Sequence, residues 1–336
     1  MNGSTSPGFA SLHLGEPQAF RNIAVLPIIG PSNGAAHWLT LGEALEQQLL
    51  TVTEVSQGGS VPELLVINRA DHPVLLLDGE ELMGAKQNRV LNTTILLKEH
   101  SETVVPVSCT EQGRWSYVSA AFSDSKSLMA RQARARKSSS VSDSLAASAG
   151  YMSNQSQVWE DIASLQSSTG TTSATGAMQD VFKAREKELE QCMAAFTVVP
   201  GQTGLIVLID DQVAGFDFIP QPEIYARQHA KLVKSYVIDS IAETQPRPAS
   251  PETAAAKAAT FLRAAEDCPK RSFPSIGYGT DWRYQTPGVA GSALIHEDQV
   301  VHAAFFSLAN EAQPSAAAMA SLRARRRRYT EQHPDN

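Results

Sequence analysis

Two polar segments interrupt the apolar, strand-like runs between Leu75 and Trp115. The first polar segment covers residues 78–89 and the second covers residues 109–115. Each contains glycine, the residue that tolerates a positive φ or the close approach of a ligand to the backbone. Carboxylates, amides and guanidinium groups are concentrated in both. The sequence therefore predicts that the two segments form one polar site.

Acid–base chemistry in the first polar segment depends on two adjacent carboxylates, Glu80 and Glu81. On a strand, neighbouring side chains point to opposite faces, so we expect one carboxylate in the site and one in solvent. A strand that continues through the segment would place Lys86 and Asn88 on one face, Gln87 and Arg89 on the other, and Asn92 further along the Lys86 face. Such a row is costly to bury unless each group has a partner. A polar ligand would supply partners, and a solvated sheet face would not need them.

The second polar segment begins at Cys109, at the end of an apolar strand. This thiol is either a small core residue or a nucleophile activated by nearby positive charge. Glu111 and Gln112 add a carboxylate and an amide, and Arg114 offers a planar fork for a phosphate or carboxylate. Trp115 either stacks on a base or anchors the loop in the core.

Together the two segments contain acid–base candidates and anion clamps. The catalytic candidates are Glu80, Glu81, Glu111 and Cys109, and the binding candidates are Lys86, Gln87, Asn88, Arg89, Asn92, Gln112, Arg114 and Trp115. This mixture suits a ligand that carries hydroxyls and phosphates, such as a nucleotide or a sugar phosphate. It also suits a structural ion-pair network, and both interpretations stay open.

Common cofactor and metal motifs are missing from the sequence. There is no GxxxxGK[ST] or GxGxxG phosphate loop, no HExxH and no GxSxG. The three cysteines are far apart and form no CxxC pair, which argues against a zinc knuckle and against a disulfide framework. We therefore predict neither a metal nor a cofactor.

Composition and charge narrow the class of protein. The chain has 336 residues, of which 42% are hydrophobic and 19% charged, and a net charge of -7. These values are typical of a globular protein and make nucleic acid an improbable partner. No apolar run is long enough to span a membrane, and the N-terminus lacks the features of a signal peptide. We therefore expect a cytoplasmic protein without a membrane partner.

The pattern of elements predicts an α+β fold, with a mostly antiparallel β-sheet core and helices packed outside. We expect a disordered leader over residues 1–19, one domain over residues 20–310 and a helical basic tail over residues 311–336. Within the domain, residues 138–176 are rich in serine and are predicted to form a flexible insertion, partly helical around residues 155–166. A homo-oligomer is compatible with this organisation.

Several local signals predict individual elements. Thr40 and Glu43 form a capping-box pattern at the start of a helix. Acidic turns predict hairpins at Asp78-Gly79, at Asp210-Asp211 and within residues 293–306. Helices are predicted over residues 127–137, 177–196, 222–243 and 252–266. The segment 277–284 either completes the site or forms a packed strand with a local ion pair between Asp281 and Arg283.

The quoted motifs resemble one known family. Residues 77–97 (LDGEELMGAKQNRVLNTTILL), residues 105–115 (VPVSCTEQGRW) and residues 209–240 (IDDQVAGFDFIPQPEIYARQHAKLVKSYVIDS) are similar to the bacterial and archaeal ARPP-1 family. Its name describes association with ADP-ribosylglycohydrolase, rhodanese and phosphatase domains. The positions that match its motifs are Glu80, Glu81, Gly84, Gln87, Asn88, Arg89, Asn92, Glu111, Gly113, Arg114 and Trp115.

The resemblance implies a domain that accompanies enzymes of ADP-ribose and NAD-derived metabolites, and it brings no established reaction. We therefore expect the chain to bind, and to be a candidate for processing, an ADP-ribose-like or other nucleotide-like metabolite. The alternative is a non-catalytic module for protein interaction or oligomerisation, in which the polar segments are structural ion pairs.

Overall fold

A computed structural model describes residues 8–30, 38–241, 247 and 250–308 of the chain. It contains helices and mostly antiparallel sheets, which confirms the predicted α+β class. The predicted basic tail over residues 311–336 lies outside the described residues. Within the described ranges, none of the helices combines the length and apolar character that a membrane crossing requires.

The strands of the described residues are numbered in chain order. They are β1 (His13–Leu14), β2 (Gln18–Phe20), β3 (Ile23–Ile29), β4 (Leu39–Thr40), β5 (Leu50–Glu54), β6 (Glu63–Asn68), β7 (Val74–Leu76), β8 (Glu80–Gly84), β9 (Arg89–Leu91), β10 (Ile95–Leu97), β11 (Ser101–Cys109), β12 (Phe122–Leu128), β13 (Gly204–Ile209), β14 (Gln212–Phe218), β15 (Lys270–Pro274), β16 (Thr280–Thr286), β17 (Val289–His296) and β18 (Gln299–Ser307). The helices are α1 (Leu41–Glu46), α2 (Arg131–Ala146), α3 (Gln155–Ser168), α4 (Gln179–Ala184), α5 (Glu186–Ala195), α6 (Pro222–Ile241) and α7 (Pro251–Glu266).

Three sheets organise these strands. A nine-stranded sheet follows the order β1-β3-β13-β14-β18-β17-β16-β15, with β2 also paired to β3. A six-stranded sheet runs β12-β8-β9-β11-β6-β5, and a small sheet runs β10-β7-β4. The six-stranded sheet positions both polar segments, because β8 lies within the first, β9 begins at its last residue and β11 leads into the second.

The nine-stranded sheet separates two apolar clusters. Along β13, Leu205 and Val207 belong to the cluster that includes α2 and α6, whereas Ile206 and Leu208 belong to the cluster that includes α7. This alternation follows from the two-residue period of a strand. A third cluster fills the space beside the two smaller sheets.

Two of the three predicted hairpins are confirmed. β13 and β14 turn at Asp210-Asp211, and β17 and β18 turn at Glu297-Asp298. All four turn residues have a positive φ, the conformation that a tight two-residue turn requires and that Asp tolerates better than most residues.

The predicted hairpin at Asp78-Gly79 is wrong. β7 pairs with β4 and β10 in the small sheet, whereas β8 pairs with β9 and β12 in the six-stranded sheet. At Asp78-Gly79 the chain therefore crosses from the small sheet to the six-stranded sheet and makes no hairpin turn. The hairpin turn lies instead between β8 and β9, over residues 85–88, where Ala85 has a φ of 39°.

The capping box at Thr40 is confirmed. The Thr40 hydroxyl accepts from the Glu43 N–H, and the Glu43 carboxylate accepts from the Thr40 N–H. This pair begins α1, which ends at Glu46.

Part of the expected leader belongs to the fold. Residues 8–19 include a short 3-10 turn, β1 and the first part of β2, all described in the structure. The Phe9 ring is buried and lies 5.1 Å from the Phe305 ring and 5.5 Å from the Phe216 ring. The sequence does not indicate this contact, because a single aromatic residue among polar ones carries no periodic signal.

The serine-rich stretch is more helical than the sequence indicates. α2 begins at Arg131, after β12, and continues to Ala146, whereas the prediction ended it at Lys137. α3 covers the predicted helix near residues 155–166. Serine side chains in α2 bond to the helix backbone, as Ser142 does to the Ser138 carbonyl, so they fit a buried helix face. The flexibility of residues 138–176 stays a prediction.

The remaining helices differ less from prediction. The helix predicted over residues 177–196 is divided into α4 and α5 at Arg185. α6 and α7 lie where the apolar spacing places them.

Candidate functional site

The two polar segments converge. β9 and β11 are paired, with Arg89 opposite Cys109, so the turn over residues 85–88 lies beside the segment that follows β11. The Thr110 N–H donates to the Asn88 carbonyl at 3.0 Å, and the Asn88 N–H donates to the Glu111 carboxylate at 3.3 Å. We call residues 85–89 and 109–115 the turn cluster. Because residues 85–88 form a turn, the predicted alternation of Lys86 to Arg89 on two strand faces is wrong.

Arg114 is held inside the turn cluster. Its guanidinium lies 2.6 Å from the Glu111 carboxylate and donates to the Ala85 carbonyl at 2.8 Å and to Asn88 Oδ1 at 3.1 Å. The Glu111 carboxylate also accepts from the Thr175 hydroxyl at 2.9 Å. The fork that the sequence offers to an anion is thus occupied by groups of the protein.

Arg89 is buried completely, yet only part of its guanidinium is occupied. Nη1 donates to the Gln87 carbonyl and to Gln87 Oε1, both at 3.0 Å. Gln87 in turn donates through Nε2 to the Glu111 carbonyl. Within the described residues, Nε and Nη2 of Arg89 have no hydrogen-bond partner. The closest carboxylate to Nη2 is that of Glu54, at 3.8 Å.

Above Arg89 lies an exposed pair of aromatic rings. The Arg89 guanidinium carbon is 5.5 Å from the centroid of the Trp115 ring. The Lys86 ammonium lies 5.3 Å from the same ring and 5.2 Å from the Tyr117 ring. Trp115 is 44% exposed and Tyr117 51% exposed, so Trp115 does not anchor the loop in the core. A cation between two accessible rings favours an anionic ligand with a flat group.

The adjacent carboxylates Glu80 and Glu81 are both buried, so neither is solvated as predicted. Glu80 accepts from the Lys231 ammonium at 2.7 Å, and Glu81 accepts from the Thr110 hydroxyl at 2.8 Å. Burial raises the pKa of both, that of Glu81 to about 7, although the Thr110 hydrogen bond opposes this. Only Glu81 contacts the turn cluster.

Cys109 is a core residue with a protonated thiol. Burial raises its pKa to about 11, although the Arg89 charge acts in the opposite direction. A thiol with this pKa is a poor nucleophile at neutral pH, because the thiolate is the reactive form.

Two predicted binding residues lie outside these contacts. Asn92 accepts from the Ser108 hydroxyl at 2.6 Å and donates to the Tyr151 carbonyl at 3.0 Å, beneath the serine-rich stretch. Gln112 lies half-buried in the second segment.

Residues 280–284 of the segment 277–284 belong to the packed strand β16, which contains a local ion pair. Arg283 Nε lies 2.7 Å from Asp281 Oδ1, and both side chains are buried. The Thr93 hydroxyl donates to Asp281 at 2.7 Å and so ties this strand to the loop after β9. None of these contacts involves the turn cluster.

Sequence reasoning missed Glu54 and Tyr117. Glu54 ends β5, whose buried positions are Leu50, Val52 and Glu54. The signal was present, because Glu54 shares the parity of the two apolar residues and a buried carboxylate needs a reason. Tyr117 follows the motif in an irregular stretch, where the sequence carries no such signal.

Three surface cavities, of about 450, 420 and 300 Å³, are lined by residues outside the turn cluster. The largest lies between α1 and β12 and includes Asp124 and Lys126. These three cavities are therefore not the place where a ligand would contact the turn cluster.

Comparison with known proteins identifies a family. The sequence model of ARPP-1, described as the ARG and Rhodanese-Phosphatase-superfamily-associated Protein domain, matches residues 11–306. No curated protein and no solved structure matches the chain.

Proposed function

We propose that this chain, which belongs to the ARPP-1 family, binds a nucleotide-like metabolite at the turn cluster. The observation that carries the proposal is the Lys86 ammonium between the exposed rings of Trp115 and Tyr117. A base stacked on an aromatic side chain contributes about 1–3 kcal/mol, and Lys86 would bind a phosphate of the same ligand. ADP-ribose and NAD-derived compounds are the class that the family name suggests.

The proposed function is binding without turnover, because the candidate catalytic groups are buried or paired. Processing would need an acid, base or nucleophile that reaches the ligand. Glu81 and Cys109 are buried, and Glu111 is paired to Arg114. We therefore assign these residues to the support of the binding surface.

Thermal shift with ADP-ribose, NAD, GDP and inorganic phosphate tests the proposal on the wild type and on two matched variants. Lys86 and Lys270 each lie over an indole, at 5.3 Å from Trp115 and 5.0 Å from Trp282. A ligand that binds only the folded protein raises Tm, and a concentration of 100 Kd adds about 2.7 kcal/mol. We expect Lys86→Ala to abolish the shift and Lys270→Ala to retain it. Equal shifts in both variants, or none in the wild type, would contradict the proposal.

The second candidate function is a non-catalytic interaction or oligomerisation module. It is favoured by the internal pairing of Arg114 with Glu111 and Asn88, which is typical of a structural network. Under this alternative, Trp115, Tyr117 and Val118 form an exposed contact surface for a protein. Sedimentation of the wild type and of Tyr117→Ala distinguishes the two, because only the alternative expects a concentration-dependent assembly that the variant loses.

A further inference from the structure

One edge of the buried Arg89 guanidinium lacks hydrogen-bond acceptors. Nη1 is committed to Gln87, whereas Nε and Nη2 have no hydrogen-bond partner among the described residues. These two nitrogens form one side of the guanidinium fork and present two parallel N–H donors. A buried guanidinium edge without acceptors is costly, so this edge calls for an occupant with two acceptors.

Glu54 lies next to this edge with an acceptor of its own. Its Oε1 is 3.8 Å from Arg89 Nη2, which exceeds a hydrogen bond, and it accepts from the Lys86 N–H at 3.4 Å. Its Oε2 is buried and has no hydrogen-bond partner in the described part of the chain. The groups that need partners thus run in the order donor (Nε), donor (Nη2), acceptor (Glu54 carboxylate).

This order of donors and acceptor excludes a phosphate and adenine and fits a 6-oxopurine base. A phosphate would satisfy the two donors but would lie against the Glu54 carboxylate, and like charges in a buried site repel strongly. A neutral planar edge avoids that repulsion. The edge of guanine or hypoxanthine offers N7 and O6 as acceptors to a bidentate arginine, followed by the N1–H donor. Adenine has an amino donor where these bases have O6, so it opposes the Nη2 donor.

The surroundings suit a flat base. The Arg89 guanidinium lies over the Trp115 ring, so a base in the plane of the guanidinium would be covered by the same indole. The loop over residues 57–60 closes the space beside Glu54. It is held by the Lys86 ammonium, which donates to the Gly58 carbonyl at 2.5 Å, and by the Tyr117 hydroxyl, which donates to the Gln57 carbonyl at 3.3 Å. Since Arg89 and Glu54 are both buried, a base reaches them only if this loop moves aside.

We infer that Arg89 and Glu54 select a 6-oxopurine base, guanine or hypoxanthine, over adenine in the nucleotide-like ligand. The inference rests on the proposed function and narrows its ligand class, because a guanine or hypoxanthine nucleotide would be preferred to the adenine compounds ADP-ribose and NAD. Arg89 donates to N7 and O6, Glu54 accepts from N1–H, and Trp115 stacks on the base.

Isothermal titration with GDP, IDP and ADP tests the inference, since the three share a diphosphate and a ribose. We expect GDP and IDP to bind the wild type on the order of 10- to 100-fold more tightly than ADP. Glu54→Gln should reduce this preference by about 10-fold, because an amide can turn its donor toward the base. The matched control is Glu63→Gln, since Glu63 is exposed one strand away and should leave the preference unchanged.

The outcomes separate the inference from the function on which it rests. Equal binding of the three nucleotides, or tighter binding of ADP, overturns the base selection and leaves the proposed function in place if Lys86→Ala still abolishes binding. Absence of binding for all three overturns the base selection, and absence of a thermal shift with ADP-ribose and NAD as well overturns the proposed function. If Glu54→Gln fails to fold in a melting scan, the wild-type preference between GDP and ADP decides alone.

Discussion

Arg134 and Asp217 form an ion pair of 2.7 Å in which neither side chain has exposed surface. The pair joins α2, at the start of the serine-rich stretch, to β14 in the nine-stranded sheet. Tyr236 donates to the same carboxylate at 2.8 Å. Burial alone would raise the pKa of Asp217, but the Arg134 charge and the neighbouring hydrogen bonds hold it below its usual range. The first turns of α2 are therefore part of the core.

Asp217→Asn should destabilise the protein by about 3–5 kcal/mol, because it leaves the Arg134 charge buried without its counter-ion. Urea unfolding followed by circular dichroism measures the change. The matched control is Asp211→Asn, which removes the half-exposed ion pair with Lys257 and should cost about 1 kcal/mol or less. Similar losses of stability in both variants would show that the buried Arg134–Asp217 pair contributes no more to stability than the half-exposed pair.

Glu81 should make stability fall as pH rises. Burial raises its pKa to about 7, above the ordinary value of 4.5, so between these values the folded protein holds a proton that the unfolded chain releases. The free energy of unfolding therefore decreases through this window, by about 3 kcal/mol in total. Glu81→Gln should remove that decrease while keeping an acceptor for Thr110.

Urea titrations at pH 5 and pH 8 check this slope for the wild type and Glu81→Gln. A residual decrease is expected in the variant, because burial also raises the pKa of Asp239, to about 6. Glu63→Gln, at an exposed carboxylate, should behave as the wild type. An unchanged slope in Glu81→Gln would mean that Glu81 is ionised in the folded protein.

The sequence predicted the elements whose signals are local. Acidic residues at Asp210-Asp211 specify a tight turn whatever surrounds them, and the Thr40–Glu43 capping box acts within one helical turn. The hairpin at Asp78-Gly79 failed because partner choice is not local. Neither β7 nor β8 carries a sequence signal for its partner strand, and their assignment to different sheets depends on packing with β10 and β12.

The position of the candidate site was predictable from the sequence, but the partners of its side chains were not. The motif residues around Arg89 and Arg114 converge because β9 and β11 pair, and both strands lie in the strand-like runs that the sequence indicates. The sequence could not show that Arg114 is occupied by Glu111 while Arg89 keeps a free edge. Those two guanidinium groups differ only in their three-dimensional neighbours, and Glu54 comes from a strand more than thirty positions earlier.

Cys109→Ala should leave ligand binding unchanged, because the thiol is a core group whose pKa burial raises to about 11. A small loss of stability is expected from the removed sulfur. Thermal shift with the ligand set described above compares the variant with the wild type. In parallel, an aromatic disulfide reagent at pH 8 should react with the native protein only at the rate of unfolding, since Cys109, Cys192 and Cys268 are all buried. Rapid labelling of Cys109, or lost binding in the variant, would restore its candidacy as a reactive residue.

Gly277 should tolerate no side chain, because it lies where the small sheet meets the nine-stranded sheet. The Tyr278 N–H donates to the Leu96 carbonyl at 2.8 Å, and a Cβ on Gly277 would overlap that carbonyl oxygen. Gly277→Ala is therefore expected to destabilise by about 1–3 kcal/mol, as overpacking of a backbone contact does. Gly288→Ala is the matched control, since its Cβ meets nothing within 4 Å. It should be neutral or stabilise by about 0.4–1 kcal/mol through the unfolded chain. Equal midpoints for the two variants in urea would show that the Leu96 contact does not hold the sheets together.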